Sequence, residues 1–200
     1  MESMDFVDLG PAAQRLAELV ARVEDDELAR PTPCPAYTLG DLVEHVGGVA
    51  RAFTAAANKE RTRYNDREPP PGDASRLGDD WRTRIPLDLE ILGQAWRDPE
   101  AWAGMTMIAG SESPSSVVGL VAADELVVHG WDVAQATGQP YHAEPEVLDA
   151  ARSFLVMIAS PDLPAGPEVA FGPSQEVPDD ASLLDRIVGL AGRDPAWSPS

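Results

Sequence analysis

The sequence predicts an all-α fold: a four-helix bundle, up-and-down with long connections, followed by short C-terminal helices and a small extended segment. Three observations carry this. Apolar residues return every three or four positions over four separate stretches, which is the spacing of one buried helix face. Prolines, glycines and capping residues punctuate those stretches where helices start and stop. Finally, 200 residues with 44% hydrophobic and 24% charged side chains are ordinary for a globular chain and sufficient for one core. The chain 1–200 reads as a single domain, with a bundle core over about 8–138 and a C-terminal appendage over about 139–200.

The first helix is expected from about Gly10 to Ala29, with Leu16, Leu19, Val20 and Val23 on its buried stripe and Pro11 in its first turn. The prolines of ARPTPCPAYT break it. Thr38 then caps a second helix, with Asp41 in the acid-favouring first turn and Leu39, Leu42, Val43, Val46, Val49, Ala50 and Phe53 on one face, running to about Lys59. Residues 61–78, which include EPPPGD, form a long connection that is expected to be mobile and to lie across the mouth of a site. A third helix covers Asp79 to Arg97 with Trp81, Ile85, Leu89, Leu92 and Trp96 inward, and Pro86 is a potential kink. WAGMTMIAGSE, from Trp102 to Glu112, is too glycine-rich for a helix and reads as extended. Ser113 followed by Pro114 opens a fourth helix that ends at Thr137 before Gly138 and Pro140. A fifth runs from Pro145 to about Ala159, EVAFGPSQEVP has strand character, and ASLLDRIVGLAG is a last short helix.

Composition excludes several functions. The net charge of −19 repels the phosphates of nucleic acid and of anionic membranes. A single cysteine, Cys34, rules out an intrachain disulfide and a multi-thiolate zinc site. MESMDFVDLG lacks the basic and apolar regions of a secretory signal, and no run approaches the roughly 18 apolar residues of a membrane helix. The chain is therefore read as soluble and cytoplasmic.

Of the three histidines, His45 and His129 fall in the middle of the two strongest helical patterns. Glu125 precedes His129 by one helical turn, so both leave the same face, as two ligands of one ion require. Glu125 also projects between Val121 and Val128, where an unpaired carboxylate would cost several kcal/mol. His45, at the edge of the stripe made by Leu42, Val46 and Val49, can reach it across the bundle. Two imidazoles and one carboxylate leave a coordination position open, the pattern of a catalytic zinc site, and suit nickel or iron(II) equally in donor type. Asp132, one turn beyond His129, is placed behind it, accepting an imidazole N–H. The same E-x-x-x-H spacing also occurs as an ordinary intrahelical pair, so a metal-free bundle stays open at this point. Cys34 between two prolines reads as packing, with no nearby cation to activate it. His142 reads as solvated, Trp102 and Trp131 as core, and Arg51 as a surface ion pair.

Two segments, PTPCPAYTLGDLVEHVGG and VAADELVVHGWDVAQATGQP, resemble the metal-binding bundle of the mycothiol-dependent maleylpyruvate isomerase family within the DinB-like superfamily. The first carries Thr32, Cys34, Tyr37, Thr38, Asp41, Leu42 and His45 in the order T-x-C-x-x-W/Y-T/S-x-x-D-L-x-x-H. The second carries Glu125, Leu126, His129, Trp131, Asp132, Ala134, Ala136, Thr137 and Gly138. The ending VPDDASLLDRIVGLAGRDPAW is similar to the tails of actinobacterial members, and the arginine-rich composition, with Lys59 the single lysine, suits such a source.

The resemblance implies a bundle holding one divalent metal, usually zinc, through His45, Glu125 and His129, beside a pocket for a low-molecular-weight thiol. In the isomerase the thiolate of mycothiol adds to the cis double bond of maleylpyruvate, permits rotation and leaves. Other members resemble thiol S-transferases. The isomerase carries a further C-terminal α/β domain, whereas about sixty residues follow Gly138 here. The expected partners are thus a small thiol and an electrophile, with a homodimer also in keeping with the superfamily. The alternative is a metal-binding or regulatory module without catalysis.

Overall fold

The structure, a computed structural model, describes residues 6–159 and 173–199. Among them are the helices α1 (Gly10–Ala21), α2 (Leu39–Ala57), α3 (Trp81–Ala95), α4 (Pro99–Trp102), α5 (Ser115–Thr137), α6 (Pro145–Ile158) and α7 (Leu183–Leu190). One antiparallel hairpin, β1 (Met105–Ile108) with β2 (Ser111–Pro114), completes them. The bundle is formed by α1, α2, α3 and α5. Both α1 and α2 pack against α3 and α5, and they stand diagonally to each other, so the long connections carry the chain across the bundle. Helix α6 lies along α5, and α7 rests on both. No described helix is long and apolar enough to cross a membrane.

Local chemistry explains most boundaries. The Thr38 hydroxyl accepts from the Asp41 N–H, and the Asp41 carboxylate accepts from the Thr38 N–H at 3.0 Å, a reciprocal cap that fixes the start of α2. Helix α5 stops where Gly138 takes φ 68°, in the left-handed region where glycine carries no Cβ penalty. Pro86 is accommodated inside α3, which continues through it from Trp81 to Ala95.

Three expectations are corrected. Helix α1 ends at Ala21, not Ala29: Asp25, Asp26 and Glu27 would place negative charge at a helix C-terminus, and they instead form a separate 3-10 turn capped by Glu24. Ser113 does not cap α5, because the β1–β2 ladder runs on to Pro114, which pairs with Met105, and the helix begins at Ser115. Within EVAFGPSQEVP, residues 168–172 lie outside the described residues. Residues 173–178 form no strand; Gln175 N–H donates to Gly189 O at 2.8 Å and packs the segment on α7. The extended reading of WAGMTMIAGSE holds in part: Trp102 ends α4, and the hairpin turns at Ala109 and Gly110, both at positive φ.

The connection 61–78 is anchored rather than loose. Asn65 is buried, donating to Glu60 O at 2.7 Å and Met107 O at 3.1 Å. Further on, Ala74 N–H donates to Asp41 at 2.9 Å and Asp73 N–H to Glu44 at 3.1 Å, so the chain lies against the first turns of α2. Gly72 sits so close to that helix that a Cβ would meet Asp41 O at 2.3 Å and His45 Cβ at 3.1 Å.

A tight contact also sets α5 against α4. A Cβ on Gly119 would lie 2.3 Å from Trp102, whose indole N–H is held by Trp96 O at 2.9 Å and cannot swing aside. Gly119→Ala is therefore expected to lose about 1–3 kcal/mol by overpacking. Urea unfolding of parent and variant measures this, and equal midpoints would contradict the packing described.

Candidate metal centre

Helix α2 supplies His45 and helix α5 supplies Glu125 and His129, and the packing of α2 on α5 brings them together. His45 Nε2 and His129 Nε2 converge on one oxygen, Glu125 Oε2, at 3.4 and 3.1 Å. One ligand atom from each residue falls within 4.8 Å of the other two. The two imidazoles stand edge to face, their centroids 5.0 Å apart, and the Tyr37 ring centroid lies 5.4 Å from that of His45. The Tyr37 hydroxyl accepts the Gly72 N–H at 3.2 Å, so the 61–78 connection passes beside the cluster, as its composition predicts.

Behind the ligand atoms, His129 Nδ1 donates to Asp132 Oδ2 at 3.0 Å, the placement predicted for Asp132. That bond fixes the ring so that Nε2 faces His45 and Glu125. Asp132 has no exposed surface, and its charge is met by Arg193, itself 3% exposed: Nη2 reaches Oδ2 at 3.1 Å and Nε reaches Oδ1 at 3.4 Å. The depth of the cluster is graded. The side chains of His45 and Glu125 keep 16% and 18% of their surface, whereas Asp132 is sealed, so the ligand atoms are approached from the His45 and Glu125 side.

Electrostatics follow from this arrangement. Burial opposes the His129 imidazolium, but hydrogen bonds to Asp132 and Glu125 outweigh it and push its pKa up to about 9. Burial likewise opposes the Glu125 carboxylate, yet the hydrogen bonds from His129 and His45 hold it well below the usual carboxylate range. In the metal-free chain a proton on His129 thus supplies the positive charge that Glu125 and Asp132 call for.

Several residues are placed differently from expectation. Glu125 is less deeply buried than its position between Val121 and Val128 predicts, whereas its neighbour Asp124 is buried, as Asp132 is. Asp124 Oδ1 has no hydrogen-bond partner among the described residues, and burial raises its pKa well above the carboxylate range. Cys34 is buried as packing, but a cation is near it after all: burial pushes its thiol up while Arg193 pulls in the opposite direction. Sequence reasoning missed Arg193, which lies 61 residues from Asp132 with no spacing to announce it. Arg51 pairs with Asp88 at 2.8 Å and His142 is exposed, both as read from the sequence. Trp102 and Trp131 are buried.

Comparison with known proteins gives this geometry a context. Residues 9–134 match the family described as Mycothiol maleylpyruvate isomerase N-terminal domain. Uncharacterized protein Rv0738 of Mycobacterium tuberculosis is 30% identical over 184 residues, covering 91% of this chain and 93% of the relative. Uncharacterized protein Rv0036c of the same organism is 28% identical over 210 residues, covering 96% and 76%. The crystal structure of the mycothiol-dependent maleylpyruvate isomerase superposes with a TM-score of 0.52 at 17% identity. That match covers 72% of this chain but 65% of the isomerase chain, just under two thirds. It shows the fold, a mostly helical bundle.

The His129 shift generates a pH dependence. Its folded value lies above the ordinary histidine value near 6.5, so the stability it contributes is complete below that pH and is lost as pH rises through about 9. In metal-free protein, the His129 imidazole is expected to titrate near 9 by nitrogen-15 NMR. A midpoint at or below 6.5 would show that the Asp132 and Glu125 hydrogen bonds do not govern it.

Proposed function

The chain belongs to the mycothiol maleylpyruvate isomerase N-terminal domain family, and we propose that it is a divalent-metal-dependent enzyme activating a low-molecular-weight thiol. Mycothiol is the thiol the family points to, and the reaction is S-transfer to an electrophile or thiol-assisted isomerisation. The observation that carries the reading is the convergence of two Nε2 atoms on Glu125 Oε2 at 3.4 and 3.1 Å. In a tetrahedral site with bonds of about 2.0–2.1 Å, neighbouring ligand atoms lie roughly 3.3–3.4 Å apart. The two spacings to Glu125 are thus close to those a metal would impose, the third ligand pair lies within 4.8 Å, and three ligands leave a place for the thiol. The donor set suits zinc first, and nickel or iron(II) as well.

When bound, the metal lowers the pKa of a coordinating thiol so that the nucleophilic thiolate forms at neutral pH. The residues of the chain do the rest. Asp132 keeps the His129 proton on Nδ1 and leaves Nε2 to face the site. Glu125 offers Oε2, and the half-open side formed by His45 and Glu125 admits the thiol. Tyr37 and Gly72 hold the connection against His45 and narrow the approach.

Elemental analysis tests the proposal directly. The parent is expected to hold about one metal per chain, and His45→Ala, Glu125→Ala and His129→Ala are each expected to lose it together with thiol-dependent turnover. Full metal occupancy in His129→Ala would sink the proposal. The second reading, a non-catalytic metal-binding module, is favoured by the sealed contact of Arg193 with Asp132, which ties the site to the stability of the fold. Under it, removing the metal lowers the melting temperature while no thiol and electrophile pair turns over.

Metal and proton compete for His129. Zinc binding is therefore expected to release about one proton below pH 9 and to strengthen up to about tenfold per pH unit in that range. Calorimetry in two buffers of different ionisation enthalpy measures the protons released, and zinc uptake without any release would contradict metal ligation by His129.

A further inference from the structure

Arg193 follows α7, where Gly192 turns the chain at φ 77°. Its backbone N–H donates to Val188 O at 2.9 Å, and its Nη1 donates to Ala191 O at 2.6 Å. The guanidinium is thus fixed to its own helix end before it meets Asp132. Its two remaining nitrogens grip the Asp132 carboxylate at both oxygens, and one of these, Oδ2, is the oxygen that accepts His129 Nδ1–H. Arg193, Asp132 and His129 are 3%, 0% and 8% exposed, so water cannot substitute for any of the three contacts.

We propose that Arg193 is a positioning residue for the metal centre: by clamping Asp132 from behind, it holds His129 in the tautomer and orientation that present Nε2 beside Glu125. The inference rests on reading His45, Glu125 and His129 as metal ligands. Its physical basis is that a carboxylate gripped at two points by a planar fork keeps one rotamer, and the imidazole it receives inherits that orientation. A lysine would supply the charge but not the fork. The C-terminal segment therefore takes part in the site, although it contributes no ligand atom.

The test uses Arg193→Gln, Arg193→Lys, Asp132→Asn and the Arg193→Gln/Asp132→Asn double variant, with zinc affinity measured by competition against a chromophoric chelator. Arg193→Gln is expected to weaken zinc binding about 10- to 100-fold, the range for groups that orient a ligand. Arg193→Lys is expected to fall between it and the parent, and serves in its place if Arg193→Gln does not fold. The double variant is expected to bind no worse than Asp132→Asn alone, because Arg193 acts through Asp132. A second readout needs no metal: the solvent-protected His129 Nδ1–H resonance in nitrogen-15-edited spectra is present in the parent and lost or fast-exchanging in Arg193→Gln.

A purely structural Arg193 would lower the melting temperature while leaving zinc affinity and that resonance at parent values, and this result overturns the inference. Additive losses in the double variant overturn it as well. If the parent takes up no zinc, the reading of the metal centre fails, and the protected resonance alone decides whether Arg193 orients His129.

Discussion

Asp132 is a carboxylate with no exposed surface, and much of the surrounding architecture answers that one condition. A charge in such a place must be paired and hydrogen-bonded, because desolvation alone costs several kcal/mol. The chain meets it from two directions: His129 from the same helix and Arg193 from the far end of the sequence. Buried ion pairs of this kind add little net stability over well-packed apolar residues, whereas deleting one partner typically costs about 3–5 kcal/mol. What the arrangement gains is geometry. One imidazole is held at a fixed angle inside the bundle.

The neighbouring packing supports the same geometry. Asp41 performs two tasks, closing the first turn of α2 through Thr38 and receiving the Ala74 N–H from the 61–78 connection. The residue that sets where α2 begins, and so which way His45 points, also pins the segment passing over His45. The intimate approach of Gly72 to the α2 backbone belongs to this arrangement, since any side chain there would push the connection away from Tyr37 and His45. On α5, Gly119 and Gly130 let Trp102 and Tyr141 pack against the helix that carries Glu125 and His129. The ligands thus sit on a helix locked along its length by large rings filling small-residue notches.

Much of this was legible in the sequence, for a physical reason. Helical periodicity and capping are local, so α2, α3, α5 and α6 could be read from spacing, and Glu125, His129 and Asp132 follow from one helix wheel. His45 needed the further assumption that α2 and α5 face each other, which the packing bears out. What could not be read was long-range or competitive. The diagonal relation of α1 to α2 is set by which faces pack, not by either helix alone. The end of α1 and the start of α5 depart from the helical pattern because a 3-10 turn and the β1–β2 hairpin compete with helix at Asp25–Glu27 and Ser113–Pro114. Arg193 carries no local pattern. Only the fold reveals that it faces Asp132.

Charge balance gives a reason for the proposed centre to take an anionic ligand. Inside it, Glu125 and Asp132 are negative and Arg193 is positive, while burial disfavours the charged form of Asp124. That leaves one negative charge unmet, and in the metal-free chain a proton on His129 meets it. A divalent ion displacing that proton brings one positive charge more than the residues need. In a region this poorly solvated an uncompensated charge is costly in either sign, so the fourth position favours a ligand that binds as an anion. A thiol that ionises on binding restores neutrality, and it does so without asking any buried carboxylate to change its state. The balance depends on Arg193: without it Asp132 would add a second negative charge, the surplus would vanish, and the preference for an anionic ligand would go with it.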